Sequence, residues 1–221
     1  MATISIIMAL YNHANFVSEC IRSIRKQTFS DWELVIVDDA STDSPLKVLK
    51  PIMETDARIR YSRFSVNRGP SAARNEAIRL ATGKFISFVD ADDMLTKSSL
   101  EMRLRALDGS ESLWVHGRAY NLVNGKLVKD RDFHGNWKKF HAKMPEPVTR
   151  YSLAVHSNSV MVKRSFYEKL GLFDEDLRYG EEQDVWKRAL AFGYMPLYVN
   201  DFVCIYRHHA GQTRFKKGAR E

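Results

Sequence analysis

Strands and helices alternate along the first part of the chain, and this alternation limits the fold more than any other feature. Four short runs of branched and aromatic apolar residues predict buried strands. They are Thr3–Leu10, Trp32–Val37, Ile59–Phe64 and Phe85–Val89. Apolar residues at helical spacing fill the stretches between them. Alternating strands and helices form right-handed βαβ units, so we predict an α/β fold with a mostly parallel sheet flanked by helices.

Polar side chains follow each of these four strands. They are Tyr11 after the first, Asp38 and Asp39 after the second, Asn67 and Arg68 after the third, and Asp90 and Asp92 after the fourth. Ligands of such sheets bind outside the carboxyl ends of the strands, so we expect one site at this edge. The glycine-rich dinucleotide and phosphate-loop motifs are absent from these loops. Phosphate would therefore be held by a metal ion and basic side chains.

The segment Asp90-Ala-Asp92 is the first candidate for metal binding. If the chain stays extended, its two-residue period puts both carboxylates on one side. Two such carboxylates can hold a hard divalent cation, which usually also binds substrate phosphate. An acidic turn or a helix N-cap is the alternative, since aspartate is common at both. The segment alone leaves both interpretations open.

The second half of the chain has a different pattern. Antiparallel strands within 113–128 are joined by a tight turn at Asn124-Gly125, and 129–147 is either a mobile loop over the substrate or a surface excursion. A strand at 160–163, a helix beginning near Gly180 and two late strands, 195–199 and 202–206, follow. We predict one domain over 1–221, with a nucleotide half at about 1–110 and an acceptor half at about 111–221.

The charge and cysteine content limit the partners and the compartment. The formal net charge of +7 favours anionic partners. The charge is dispersed except at Arg214–Arg220, so we predict no nucleic-acid partner. We predict a peripheral contact between this basic C-terminus and anionic membranes. Cys20 and Cys204 have no metal-binding spacing and predict free thiols. Without a signal peptide or membrane-span pattern, we expect a cytoplasmic protein, peripheral at the inner face of the membrane.

Seven short motifs resemble, in order, those of glycosyltransferase family 2. They are Ser5–Asn12, Val37–Asp43, Asn67–Asn75, Asp90–Asp93, Gly171–Asp176, Gly180–Asp184 and Tyr206–Gly211. The resemblance implies the Rossmann-like GT-A fold, a nucleoside-diphosphate sugar donor with UDP favoured, Mn²⁺ or Mg²⁺, and inversion at the anomeric carbon. The acceptor stays open, but the basic C-terminus and the lack of a membrane-span pattern suit a hydroxyl of a glycan or lipid-linked acceptor in surface polysaccharide synthesis.

The resemblance also implies roles for individual residues. Tyr11 and Asp39 resemble contacts to the nucleoside base, with Asp38 a weaker candidate, and Asp90 resembles the residue near the ribose. The remaining donor-binding candidates are Ala9, Arg68, Arg74 and Glu181. Asp92 resembles the metal ligand, and His209 the late histidine near the metal or diphosphate, with His208 as its alternative. The arginines could also be solvated helix-end cations, and the histidines part of a surface loop.

The catalytic base is the point where the chain departs from the family pattern. The family's usual base is the aspartate of a Glu-Asp pair, but here Glu181 is followed by Glu182. The extra methylene moves the carboxylate by about 1.5 Å, and such displacements can be costly. We predict Glu182 as the base, with Asp184 as the alternative and an inactive site as the third outcome.

Two other classes of protein compete with the enzyme. Val35–Asp39 is similar to the acidic strand end of a response-regulator receiver, but receivers are shorter and the second half would be unexplained. The other is a catalytically inactive glycosyltransferase-like module that binds nucleotide or glycan.

Overall fold

The computed structural model describes residues 2–129, 155–177, 179–210 and 212. Its strands are β1 (Ile4–Leu10), β2 (Trp32–Asp38), β3 (Ile59–Arg63), β4 (Phe85–Phe88), β5 (Met94–Leu95), β6 (Trp114–Val123), β7 (Lys126–Lys129), β8 (Val160–Lys163) and β9 (Leu197–Arg207). Its helices are α1 (Ala14–Arg25), α2 (Pro45–Met53), α3 (Pro70–Leu80), α4 (Ser99–Leu107), α5 (Ser165–Leu170) and α6 (Glu181–Ala191), and a short 3-10 helix spans Ser157–Ser159.

One mixed sheet runs through both halves of the sequence. Its strand order is β3-β2-β1-β4-β8-β6-β9-β5, and β7 pairs with β6. Strands β1 to β4 pair in parallel, whereas β8 joins β4 antiparallel. The predicted βαβ units and parallel sheet are confirmed. The division into a nucleotide half and an acceptor half stays a prediction.

Helices cover both faces of the sheet, because alternate side chains of the buried strands point to opposite sides. Ile6 and Leu34 pack in the core under α1, α2 and α4. Ile7 and Val35 pack in the other core, under α3, α5 and α6. Both faces of β1 and β2 are therefore apolar except for the buried, hydrogen-bonded pair of Ser5 and Glu33. The polar residues that follow the two strands lie at the edge where these strands end.

The second half differs from prediction in one element. The hairpin is confirmed: Val123 pairs with Lys126, and Asn124 and Gly125 both have positive φ, as a two-residue turn requires. The two predicted late strands are one strand, β9, which pairs parallel to β6 across a register shift at Gly117/Arg118. A Cβ at Gly117 would lie 2.7 Å from Val203, so glycine permits the close approach there.

Two sequence predictions fall mainly outside the described residues. The predicted loop 129–147 does so except for its first residue, which ends β7, and the basic stretch Arg214–Arg220 does so completely. Cys20 and Cys204 are both buried and are not joined in a disulfide, which agrees with the prediction. Within the ranges described, no helix combines the length and apolar character needed to cross a membrane.

Candidate active site

A cleft of about 1020 Å³ lies at the carboxyl ends of β1, β2 and β4. Its walls include Ala9, Tyr11, His13, Asp39, Arg68, Arg74, Asp90, Asp92, Glu175, Tyr179, Glu181 and Glu182. The strands end here because the apolar pattern that buries them stops. The cleft therefore gathers residues that are far apart in the sequence, as the polar strand ends predicted.

A buried guanidinium organises one wall of the cleft. Arg74, on α3, has only 8% of its side chain exposed. It donates to Glu181 and Glu182 at 2.6 Å each, and its Nη2 lies 3.2 Å from Asp90 Oδ1. We call these four residues the arginine cluster. An arginine fork can satisfy several carboxylates at once, which holds the start of α6 against the end of β4.

The arginine cluster shifts the acidity of its carboxyl groups. Burial raises the pKa of Glu182, and the negative charges of Asp90 and Glu181 add to this, whereas the Arg74 charge opposes it. Burial likewise raises the pKa of Asp90 against the opposing effect of Arg74. Glu182 keeps 26% of its side chain exposed, so its carboxylate can reach a ligand in the cleft. A raised pKa makes this glutamate a stronger base than an ordinary one.

Two imidazoles surround Asp92 on the other side of the same segment. The Asp92 Oδ2 atom lies 2.9 Å from His209 Nε2 and 3.5 Å from His13 Nδ1. All three donor atoms lie within 4.8 Å of one another. We call these residues the histidine cluster. The buried His13 Nδ1 has no hydrogen-bond partner among the described residues. One carboxylate and two imidazole nitrogens suit a divalent transition-metal ion, so the residues present fit the metal that the family resemblance implies.

Backbone contacts brace the segment between the two clusters. The buried Asn158 accepts a hydrogen bond from the Asp90 amide at 2.7 Å and donates through its Nδ2 to Asp93. Asp93 also accepts from the Arg207 amide at 2.7 Å, which ties the segment to the end of β9. Burial, followed by the charges of Asp92 and Asp90, raises the pKa of Asp93 well above its usual value. These hydrogen bonds hold the segment in place and so orient the carboxylates of Asp90 and Asp92.

The far end of the cleft carries the predicted nucleoside-binding residues. Asp39 accepts hydrogen bonds from the amides of Arg68 at 2.6 Å and Gly69 at 2.9 Å. Burial raises the pKa of Asp39, and these two bonds oppose the shift. Gly69 has a φ of 91°, which glycine adopts without strain. Tyr11 is 45% exposed at this end, so its ring is available to a planar ligand.

Asp38 is not part of the cleft, contrary to the sequence prediction. It is fully buried, and its carboxylate accepts from Tyr61 at 2.6 Å, Arg63 at 2.7 Å and the Ser41 amide at 2.8 Å. Adjacent residues of an extended chain face opposite ways. When Asp39 faces the cleft, Asp38 must therefore face away from it.

Asp184 and His208 also lie outside the cleft wall. Asp184 Oδ2 accepts from Arg188 Nε at 2.8 Å, one turn further along α6. Residues two apart on a helix point in nearly opposite directions, so Asp184 cannot share the orientation of Glu182. His208 Nε2 instead lies 2.8 Å from Asn121 Oδ1. Asp184 as alternative base and His208 as alternative to His209 therefore have no support from the structure.

His13 and Asn158 belong to the site but were not among the residues predicted from the sequence. His13 could have been found, because it follows Tyr11-Asn12 at the end of β1 and so belongs to the same edge. Asn158 gives no such signal, since it precedes β8 by two residues and reaches the site only through the sheet.

A family model described as "Glycosyl transferase family 2" matches residues 5–171. The chain belongs to glycosyltransferase family 2. The resemblance of its seven motifs is thereby confirmed. Among curated family members, the chain is 35% identical to TuaG of Bacillus subtilis, named for teichuronic acid biosynthesis, over 92% of the chain and 78% of TuaG. It is 30% identical to an uncharacterized glycosyltransferase of Methanocaldococcus jannaschii, over 92% of the chain and 70% of that protein.

Other family members share only part of their length with this chain. WfgD of Escherichia coli, a UDP-Glc:alpha-D-GlcNAc-diphosphoundecaprenol beta-1,3-glucosyltransferase, is 35% identical over 57% of the chain and 48% of WfgD. The chain spans 29% of the length of two Rickettsia glycosyltransferases, from R. felis and R. conorii, that it matches at 32% and 33% identity.

Solved structures confirm the GT-A fold of this family member. S. aureus TarS 1-349, in complex with UDP-GlcNAc, aligns with a TM-score of 0.73 at 23% identity, over 95% of this chain and 60% of that one. The mannosyltransferase PcManGT from Pyrobaculum calidifontis, in complex with GDP-Man and Mn²⁺, aligns with a TM-score of 0.70 at 25% identity, over 96% and 58%.

Proposed function

We propose that this chain transfers a sugar from a nucleoside-diphosphate sugar to a hydroxyl of a glycan or lipid-linked acceptor, with inversion at the anomeric carbon. One observation carries the proposal: Glu182, at the start of α6, lines the same cleft as Asp92, which follows β4. A base and a candidate metal ligand from different elements thus face one space. An inverting transfer needs the base and the metal ligand on opposite sides of the reacting carbon, because the hydroxyl attacks from the side opposite the leaving diphosphate.

Glu182 is the proposed base. As a carboxylate it takes the proton from the acceptor hydroxyl while the bond to the anomeric carbon forms. Arg74 holds its Oε1 at 2.6 Å. The contact fixes the longer side chain that replaces the family's usual aspartate. Positioning by Arg74 therefore offsets the freedom that the extra methylene introduces.

Asp39, Tyr11 and Arg68 form the proposed nucleoside end. Tyr11 offers a ring face to a base, and the Asp39 carboxylate can accept a hydrogen bond from a base N–H in addition to its two backbone donors. UDP is favoured, because WfgD is named as a UDP-Glc enzyme and a TarS structure contains UDP-GlcNAc. PcManGT was solved with GDP-Man, so GDP is the competing donor nucleotide.

Asp92 and His209 are the proposed ligands of a divalent cation, Mn²⁺ or Mg²⁺. When bound, such an ion supplies positive charge that stabilises the diphosphate leaving group. PcManGT, which shares the fold, was solved with Mn²⁺.

The acceptor is proposed to belong to a surface polysaccharide pathway. WfgD is named for a diphosphoundecaprenol-linked acceptor, and TuaG for teichuronic acid biosynthesis. Contact between the basic stretch Arg214–Arg220 and a membrane would bring the cleft to such an acceptor. Co-sedimentation with anionic vesicles tests this contact: we expect salt-sensitive binding, and none would remove this part of the proposal.

The experiment that tests the function begins with a thermal-shift panel of UDP, GDP, dTDP and CDP, each with and without Mn²⁺. We expect UDP with Mn²⁺ to give the largest rise in melting temperature, since a ligand that binds only the folded state stabilises it. Release of the selected nucleotide from its sugar donors is then measured. Binding without release from any donor or acceptor would favour the inactive binding module, and absence of binding by all four nucleotides would reject both.

A further inference from the structure

We propose that His13 is a third protein ligand of the cation, and that the resulting set of two imidazoles and one carboxylate makes the site prefer Mn²⁺ to Mg²⁺. The inference rests on the proposed function, because the cation concerned is the one assigned there to Asp92 and His209.

The distances within the histidine cluster fit a common ion. Two ligand atoms bound to one first-row ion at about 2.1–2.3 Å are about 3–4.5 Å apart, depending on the angle between them. Asp92 Oδ2 lies 2.9 Å from His209 Nε2 and 3.5 Å from His13 Nδ1, and the three donor atoms lie within 4.8 Å of one another. Shifts of a few tenths of an ångström therefore bring all three to one ion.

The side chain of His13 has no other evident task in the described part of the chain. His13 is the residue before α1, yet it makes no capping hydrogen bond through its side chain. Its buried Nδ1 lacks a hydrogen-bond partner among the described residues. Its ring packs edge-on at 6.0 Å from Phe16 and 5.7 Å from His209. These contacts hold the imidazole in place, with its Nδ1 3.5 Å from Asp92 Oδ2.

The donor types determine which ions the site prefers. Mg²⁺ binds oxygen ligands in a strict octahedron and releases its water reluctantly, so imidazole suits it poorly. Imidazole nitrogen suits transition metals, among which Mn²⁺ is the weakest binder of the first row. A single histidine adds little to the preference of the site for a transition metal, whereas two histidines determine that preference. We expect Mn²⁺ to bind at least about tenfold more tightly than Mg²⁺, and Co²⁺ more tightly than Mn²⁺.

Electron paramagnetic resonance on the full chain with Mn²⁺ and UDP tests the inference. Loss of the free Mn²⁺ signal gives the dissociation constant, and pulsed measurements of nitrogen coupling count the bound imidazoles. We expect two imidazoles in the wild type. His13→Phe keeps the ring packing against Phe16 but removes the lone pair, so it should leave one imidazole and weaken Mn²⁺ binding at least about tenfold.

His208→Ala is the matched control, since it removes a neighbouring imidazole that lies beside Asn121 outside the histidine cluster. It should retain both nitrogen couplings. The inference would be overturned by either of two results. One is a single coupled imidazole in the wild type, and the other is unchanged Mn²⁺ affinity in His13→Phe.

Failure of this inference is distinguishable from failure of the proposed function. Sugar transfer that Mg²⁺ supports as well as Mn²⁺, with one coupled imidazole, would retain the function and reject the His13 ligand. Two coupled imidazoles in a protein that releases no nucleotide from any donor would retain the ligand and reject the function.

Discussion

The arginine cluster and the histidine cluster lie on the two sides of one short segment, and they differ in how the charge of their carboxylates is balanced. Asp90 turns toward Arg74, where a guanidinium already balances part of the carboxylate charge. Asp92, two residues later, faces His13 and His209 instead. The first cluster is held together by the protein's own cation. The second presents donor atoms that a cation from solution can join.

This difference suggests a division of tasks at one strand end, between proton removal from the acceptor and charge balance on the leaving diphosphate. In the proposed mechanism, the arginine cluster positions the base, whereas the histidine cluster would hold the cation that balances the charge of the diphosphate. Asn158 and Arg207 brace the segment between the two clusters, and neither residue belongs to a cluster. Variants that alter one cluster should therefore leave the function of the other intact.

The largest effect is expected from Glu182→Gln in the arginine cluster. The amide fills the same space but cannot accept the acceptor proton, so kcat for nucleotide release in the presence of acceptor should fall by about 10²–10⁴-fold. Mn²⁺ affinity should stay unchanged. If transfer persists undiminished, Glu182 is not the base, and the separation of roles between the two clusters fails.

Asp92→Asn should have the next largest effect, and a different signature. Loss of the carboxylate weakens the cation site, so Mn²⁺ affinity should fall and kcat should drop by at least about 10²-fold. The pH at which kcat rises should remain where it is, because Glu182 keeps its contact with Arg74. Mn²⁺ titration of the variant, followed by the pH profile at saturating Mn²⁺, checks both statements.

Arg74→Lys should change the pH profile rather than the metal affinity. The base acts only as a carboxylate, so kcat rises with pH through the pKa of Glu182, which burial places above the usual glutamate range. The Arg74 charge lowers that pKa, and a lysine cannot contact several carboxylates as a fork does. The acid limb should therefore move to higher pH, so that kcat falls on the acid side of the profile.

Arg63→Lys is the control for this shift, because Arg63 pairs with Asp38 away from the cleft. Its pH profile should match the wild type. An acid limb that stays in place in Arg74→Lys would mean that Arg74 does not set the acidity of Glu182.

The smallest effect is expected from Asp184→Asn. Its pair with Arg188 is a partly exposed contact across one helical turn, which contributes about 0.3–0.5 kcal/mol. Urea unfolding should show a loss of that size, and kcat should stay within about twofold of the wild type. A loss of kcat comparable with that of Glu182→Gln would return Asp184 to the active site.

Much of the fold was predictable, because continuous apolar runs identify strands that are covered on both faces. The late strands were not: Asn200 and Asp201 are exposed in the middle of β9, and their polarity predicts a break. The chain continues as a strand because β9 shifts register against β6 beside Gly117. That adjustment depends on a partner far away in the sequence.

The candidate site was predictable to the level of its edge but not of its individual side chains. The sequence places Asp38 and Asp39 together after β2, yet only the packing of Tyr61 and Arg63 shows that Asp38 faces inward. Helical geometry alone could have separated Glu182 from Asp184. The sequence could place His13 at this edge, after β1, but it could not show that His13 lies beside His209, which follows β9.

Asn158 makes the site dependent on the chemical lifetime of a single amide. Its oxygen accepts from the Asp90 amide and its nitrogen donates to Asp93, so the two ends of the group have different tasks. Asparagine is thermolabile, and its conversion to aspartate would replace the donor by an acceptor beside Asp93. Its burial at 1% exposure restricts the water and backbone freedom that hydrolysis needs. The packing that positions the Asn158 amide therefore also protects it from deamidation.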